Sequence, residues 1–155
     1  MNTQTQPEAI IEADPEIPVV RIFREFDAPP ELVYRAHVDP ELVKQWMGPR
    51  SIDMDIEKWD LRTGGEYRLN FGDGMDFFGR YIEVTPPSRI VWTNEEGGEN
   101  GSVTTVTFEE KGGQTLLVMS ELYPSKEALD AAGTGAADAM HETFAQLDEL
   151  LAALP

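Results

Sequence analysis

The side chains in this sequence that could move a proton or hold a metal are few enough to weigh one at a time. There are two histidines, His37 and His141, and no cysteine. His141 follows Asp138 by three residues, a helical spacing at which a carboxylate can support an imidazole acid or base. The competing reading is a helical histidine partly in solvent. His37 ends a short helical segment, where a positive charge favours the negative end of the helix dipole. The two histidines are isolated, with no H-x-x-H spacing, so no metal site is expected. The missing thiols remove disulfides, thiolate ligands and cysteine nucleophiles together. No serine stands in a G-x-S-x-G elbow, and Gly64-Gly65 and Gly72-x-Gly74 are turn glycines rather than phosphate loops. Tyr81 is the remaining acid/base candidate. This inventory compels no enzyme.

Apolar contact is the other chemistry on offer. The stretch from Asp39 to Arg68 opens with DPELVKQWMGP (Asp39 to Pro49) and closes with DLRTGGEYR (Asp60 to Arg68). A proline-initiated turn of helix carries Trp46 into a Gly48-Pro49 break, and a Gly-Gly turn launches an aromatic strand. Trp46 reads either as a wall near the mouth of an apolar cavity or as a core anchor burying about 150–250 Å². Met47 beside it is an adaptable apolar surface. Alternation places Tyr67 with Leu69, and Phe77 with Gly79 and Tyr81, on shared sheet faces. Gly79 either leaves room over the concave surface or relieves strand bending. Trp92 and Met119 are further inward candidates, and Met140 and Phe144 lie on the apolar stripe of the last helix. The inward face of Phe77 to Val84 is left open, because apolar residues occupy both sides. Arg68, Arg80 and Glu83 are read as outward cross-strand pairs.

These candidates need elements to hold them. Residues 1–16 are polar, acidic and interrupted by Pro7 and Pro15, and read as a loose tail in which Ala9 to Ile11 could lie on a sheet edge. A strand follows from Pro18, then a turn at Asp27-Ala-Pro-Pro30. Two short helices come next, the second capped by Asp39 with Pro40 at its first position and Glu41 beside the positive dipole end. The first has Leu32, Val33, Ala36 and Val38 as its apolar face. Six alternating segments then run as a meander of antiparallel neighbours: Ile52–Trp59, Tyr67–Phe71, Phe77–Val84, Arg89–Asn94, Val103–Glu109 and Thr115–Ser120. After Pro124-Ser125 a helical stretch is weakened at Gly133 and Gly135. It resumes as a long helix with Met140, Phe144, Leu147, Leu151 and Leu154 on one stripe. The expectation is one α+β domain over residues 17–155, with a curved seven-stranded antiparallel sheet wrapped around the C-terminal helix.

Composition limits the partners. With 29 acidic and 12 basic residues the chain carries a net charge of −17, which repels phosphate backbones and anionic membranes. No apolar run is long enough to insert in a membrane, and the N-terminus lacks a signal-peptide pattern. Together with the lack of cysteine this fits a cytoplasmic protein. A homodimer is left open.

The order and spacing of six segments resemble a known family. They are REFDAPPELVYRA (Arg24 to Ala36), DPELVKQWMGP, DLRTGGEYR, GRYIEVTPPSRIVWT (Gly79 to Thr93), VTFEEKGGQT (Val106 to Thr115) and LDELLAAL (Leu147 to Leu154). The chain resembles the SRPBCC (START/Bet v 1-like) superfamily, within it the small proteins related to the C-terminal domain of the Hsp90 ATPase activator. The resemblance covers about Pro18 to Leu154. It implies a helix-grip fold binding hydrophobic or aromatic small molecules without a cofactor. Trp46, Met47, Tyr67, Leu69, Phe77, Tyr81, Trp92, Met119, Met140 and Phe144 are the expected contacts. The chain departs from it at Trp46-Met47, where members often carry two tryptophans, and at Gly135 and Ala139, where they often carry G-x-x-x-G. Two other functions stay in view: a polyketide cyclase or dehydratase using His141 or Tyr81, and a module that engages Hsp90.

Overall fold

In the computed structural model, residues 10–14, 16–47, 54–71, 76–95, 98, 101–132 and 135–154 are described. Among them, eight strands form one open antiparallel sheet: β1 (Ile10–Ala13), β2 (Val19–Phe26), β3 (Asp55–Trp59), β4 (Glu66–Asn70), β5 (Asp76–Thr85), β6 (Arg89–Thr93), β7 (Val103–Lys111) and β8 (Gln114–Leu122). Their order across the sheet is β1-β2-β8-β7-β6-β5-β4-β3. Four helices accompany them: α1 (Pro30–Val38), α2 (Pro40–Trp46), α3 (Lys126–Ala132) and α4 (Gly135–Ala153).

The eighth strand corrects the expectation of seven. Residues 10–13, read as part of a tail, pair along β2 with Ile11 opposite Ile22. Four residues with Ile10 mostly exposed carry little hydrophobic pattern. What holds them is backbone pairing to an otherwise open edge, which a sequence does not advertise. The C-terminal helical stretch is two helices rather than one interrupted helix. Gly133, the Gly48-Pro49 break, Ile52 and the Gly72–Gly74 turn lie outside the described residues.

Two bulges set which side chains face inward. Between Ile56 and Lys58 the pairing with β4 slips by one, so Trp59 stands opposite Tyr67 on the same face as Ile56. A second slip between Tyr81 and Glu83 leaves Ile82 half exposed and pairs Val84 with Ile90. One extra residue reverses the alternation beyond it.

The short helices begin as their sequence requires. The Asp39 carboxylate accepts from the Glu41 amide at 3.0 Å, and Pro40 occupies the first turn. α1 is rolled from its expected orientation: Pro30, Val33, Tyr34, Ala36 and His37 are buried, while Leu32 and Val38 are only partly covered. It packs on β7, β8, α2 and α4.

Candidate functional site

The inner face of the sheet is uneven. Toward the start of β8, Phe26, Val106, Phe108 and Leu117 belong to one buried cluster with Phe144 and Leu147 of α4, all at most 4% exposed. Phe26 and Phe144 pack edge to face with ring centroids 5.3 Å apart. Arg24, also inward and buried, pairs with Asp148 of α4 and lies 4.7 Å over the Phe26 ring. This ties the helix to β2 by charge as well as by apolar contact.

Elsewhere on that face the covering thins. Met119 stands between Ile22 and Val106, both almost wholly buried, yet is itself only partly buried. Trp92, Phe71 and Met140 are likewise partly buried. Phe77 is 36% exposed, its ring edge-on to Phe71 at 5.3 Å. Register brings Tyr67, Leu69, Phe77, Tyr81, Trp92 and Met119 to one face: Leu69 faces Phe77, Tyr67 faces Gly79, and Tyr81 faces Trp92. A Cβ on Gly79 would fall 2.0 Å from the Thr93 carbonyl oxygen, so glycine is there for close strand approach rather than for room above the sheet.

The polar groups of this face are mostly engaged by the sheet itself. The Asn94 amide donates to Ser102 Oγ at 3.0 Å and to Thr104 Oγ1 at 2.7 Å, and Ser102 donates to Glu121 at 2.6 Å. Trp92 Nε1 donates to Asn94 Oδ1, and the Tyr67 hydroxyl donates to the Thr93 carbonyl at 2.7 Å. Trp92 and Tyr67 therefore offer ring surface rather than polar handles. Tyr81 is buried between Trp59 and Tyr67, with centroids 6.2 and 5.6 Å away. Burial holds its hydroxyl proton well above the usual tyrosine range, and nearby Tyr34 adds to this.

The remaining expected contacts divide. Trp46 is 1% exposed and is no cavity mouth: its indole donates to the Ala36 carbonyl at 2.8 Å, and the Gln146 amide donates to the Trp46 carbonyl at 2.7 Å. Burying such a ring is worth about 4–6 kcal/mol, so Trp46 is the rivet between α1, α2 and α4. Phe144 is equally enclosed. Met47, at the end of α2, and Met140 are partly buried. Arg68, Arg80 and Glu83 form outward pairs with Asp76, Glu95 and Arg89.

His141 is exposed, which removes the support for an interior acid or base at that position. His37 overturns the reading of a helix-end charge. It is buried against Trp46 and Phe108, and Nδ1 lies 2.8 Å from the Val33 carbonyl. Burial lowers its pKa to about 4, against a smaller upward pull from that carbonyl, so the ring is neutral at pH 7. Tyr34, three residues earlier, was passed over in the sequence; a phenol between Val33 and Arg35 only shows its direction once α1 is rolled. The signal was the i, i+3 step from Tyr34 to His37, continuing the line from Pro30 and Val33. Trp59 was missed because its inward position depends on the β3 bulge; its indole donates to the Val38 carbonyl at 2.9 Å.

A separate cleft of about 470 Å³ lies outside the grip of the sheet, lined by Ala28, Pro29, Leu32 and Arg35 of the α1 region and by Leu151 and Leu154. It contains none of the expected contacts. Among the described residues, no group of three or more His, Asp or Glu is placed to hold a metal ion, and no helix is long and apolar enough to cross a membrane.

Comparison with known proteins matches residues 27–152 to the family described as Activator of Hsp90 ATPase homolog 1-like protein. No curated protein matches the chain. A crystal structure of a Rhodobacter sphaeroides protein is similar at a TM-score of 0.81 and 28% identity, covering 94% of this chain and 100% of the other. One from Mycobacterium smegmatis is similar at 0.80 and 26% identity, covering 95% and 99%. CalU16 from Micromonospora echinospora shares the fold, at a TM-score of 0.64 and 23% identity over 96% and 87% of the two chains.

Proposed function

The chain belongs to the Activator of Hsp90 ATPase homolog 1-like family of the SRPBCC superfamily, and we propose that it binds a hydrophobic or aromatic small molecule between the sheet and α4, in a helix-grip arrangement. One observation carries this reading: Met119 is only partly buried although both its cross-strand neighbours, Ile22 and Val106, are enclosed. Unfilled contacts cost dispersion energy, so the uncovered part of Met119 is surface that a ligand gains by covering. Trp92, Met140 and Met47 supply the rest of the wall, two of them thioethers that adapt to varied shapes. Covering such surface with a ligand contributes roughly 25 cal/mol per Å².

The enzyme alternative has lost its first candidate base with His141 in solvent, and Tyr81 is embedded among rings with its proton held tightly. The reading therefore rests on binding. A thermal-shift screen across lipids, polyketides and aromatic compounds tests it. Saturable stabilisation by an apolar subset, weakened by Met119→Ala and Met140→Ala, is the expected result. No shift with any compound would overturn it.

A further inference from the structure

The α1 helix turns two polar atoms into the protein interior and gives neither a partner. Tyr34 Oη and His37 Nε2 are buried, with no hydrogen bond among the described residues. Each residue as a whole is over nine-tenths buried. Both rings meet the same partner edge-on: Phe108 lies 5.5 Å from Tyr34 and 5.0 Å from His37, centroid to centroid. One helical turn separates them, so they flank a common patch. Phe108 stands two residues along β7 from Val106 on the same face, and Val106 pairs with Met119, which sets this patch beside the partly covered face described above. Leaving buried polar atoms unmet costs about 1–3 kcal/mol each, and a fold retains few without a use. Their contrast with Tyr67 and Trp92, whose polar atoms are satisfied by Thr93 and Asn94, is what singles them out.

The chemistry of the pair is specific. With Nδ1 donating its proton to the Val33 carbonyl, Nε2 of the neutral ring bears a lone pair and accepts. The Tyr34 hydroxyl keeps its proton, because burial disfavours phenolate, and so can donate. An acceptor and a donor side by side complement a group that both donates and accepts. Neither can balance a carboxylate or phosphate, and the chain's net charge of −17 opposes one.

We propose that Tyr34 and His37 form the polar anchor of the ligand site, holding the hydroxyl of a neutral phenol: its O–H donates to His37 Nε2 and its oxygen accepts from the Tyr34 hydroxyl. The proposal rests on the ligand-binding reading above and narrows it to hydroxyl-bearing aromatic molecules.

Calorimetric titration of the full chain with 2-naphthol, naphthalene and 2-methoxynaphthalene separates the two claims. Binding of 2-naphthol about tenfold tighter than either analogue is expected, the worth of one or two net hydrogen bonds. Tyr34→Phe and His37→Phe keep a ring against Phe108 and should each erase most of that preference, leaving naphthalene affinity unchanged. A thermal midpoint for Tyr34→Phe at or above that of the parent shows that the fold is intact, since only an unmet oxygen is removed. Equal affinity for all three compounds would overturn the anchor and leave the apolar site standing. No binding by any of them, repeated across the wider screen, would overturn the site itself.

Discussion

Two stretches of one sheet face, a few residues apart, have opposite characters. Around Phe26, Phe108, Leu117, Phe144 and Leu147 the sheet and α4 close on each other, and the buried Arg24–Asp148 pair fixes their relative position. Around Met119, Trp92, Phe77 and Met140 the same face is only partly covered. The chemistry of the side chains follows the division. Stiff rings and leucines fill the closed part, while methionines and ring edges line the open one. The difference teaches that the packing under α4 is uneven, and the proposed binding uses the part that the closed packing leaves less covered.

The largest expected effect breaks the closed part. Phe144→Ala removes an enclosed ring from its partner Phe26 and should cost about 3–5 kcal/mol. Met119→Ala, on the same face, should cost about 1 kcal/mol or less, because part of that side chain already lacks packing. Urea unfolding of the two variants measures the contrast directly, and equal losses would erase the distinction between the two regions.

Acid probes the boundary between them. The folded value for His37 is about 4, below its ordinary 6.5. The unfolded chain therefore takes up this proton first as pH falls. Stability contributed by the neutral ring is complete above about pH 6.5 and is lost progressively toward pH 4, by about 3 kcal/mol. Unfolding midpoints from pH 7 to pH 4 should fall less steeply in His37→Phe than in the parent, since the carboxylates common to both cancel in the comparison. Identical slopes would mean that His37 is not enclosed.

The Arg24–Asp148 pair gives a smaller effect. Asp148→Asn leaves a nearly buried guanidinium without its countercharge, at a cost of about 2–3 kcal/mol, moderated by the partial exposure of Asp148. The loss should be insensitive to salt at the level seen for exposed pairs such as Lys58–Glu66. Ligand affinity should change little, because the pair belongs to the closed end.

Much of this frame was legible in the residues. The Asp39-Pro40 start of α2, the meander of strands β3 to β8, and the stripe from Met140 to Leu151 all follow local rules of capping and periodicity. The grouping of Tyr67 with Leu69 and of Phe77 with Tyr81 was legible for the same reason, but which side of Phe77 to Val84 faces inward came only from its register with β4. What failed to show depends on tertiary context. β1 is held by backbone pairing to β2 with little hydrophobic pattern of its own, and Trp59 turns inward through a bulge that alternation cannot foresee. The roll of α1, which buries Tyr34 and His37, is set by packing on β7, α2 and α4. Trp46 stood out in the sequence because it is large and flanked by breakers. That prominence marked the rivet of the frame, while the polar atoms aimed at the interior came from Tyr34 and His37, whose direction depends on the roll of α1.

Selective methyl labelling offers the most direct test, because methionine marks the open region and leucine the closed one. In a ¹³C-methyl NMR titration with 2-naphthol, the Met119 and Met140 signals should shift saturably, while that of Leu147 stays in place. Shifts confined to Leu32, Leu151 and Leu154 would put the ligand in the outer cleft beside α1 and contradict the assignment of binding to the open half of the grip.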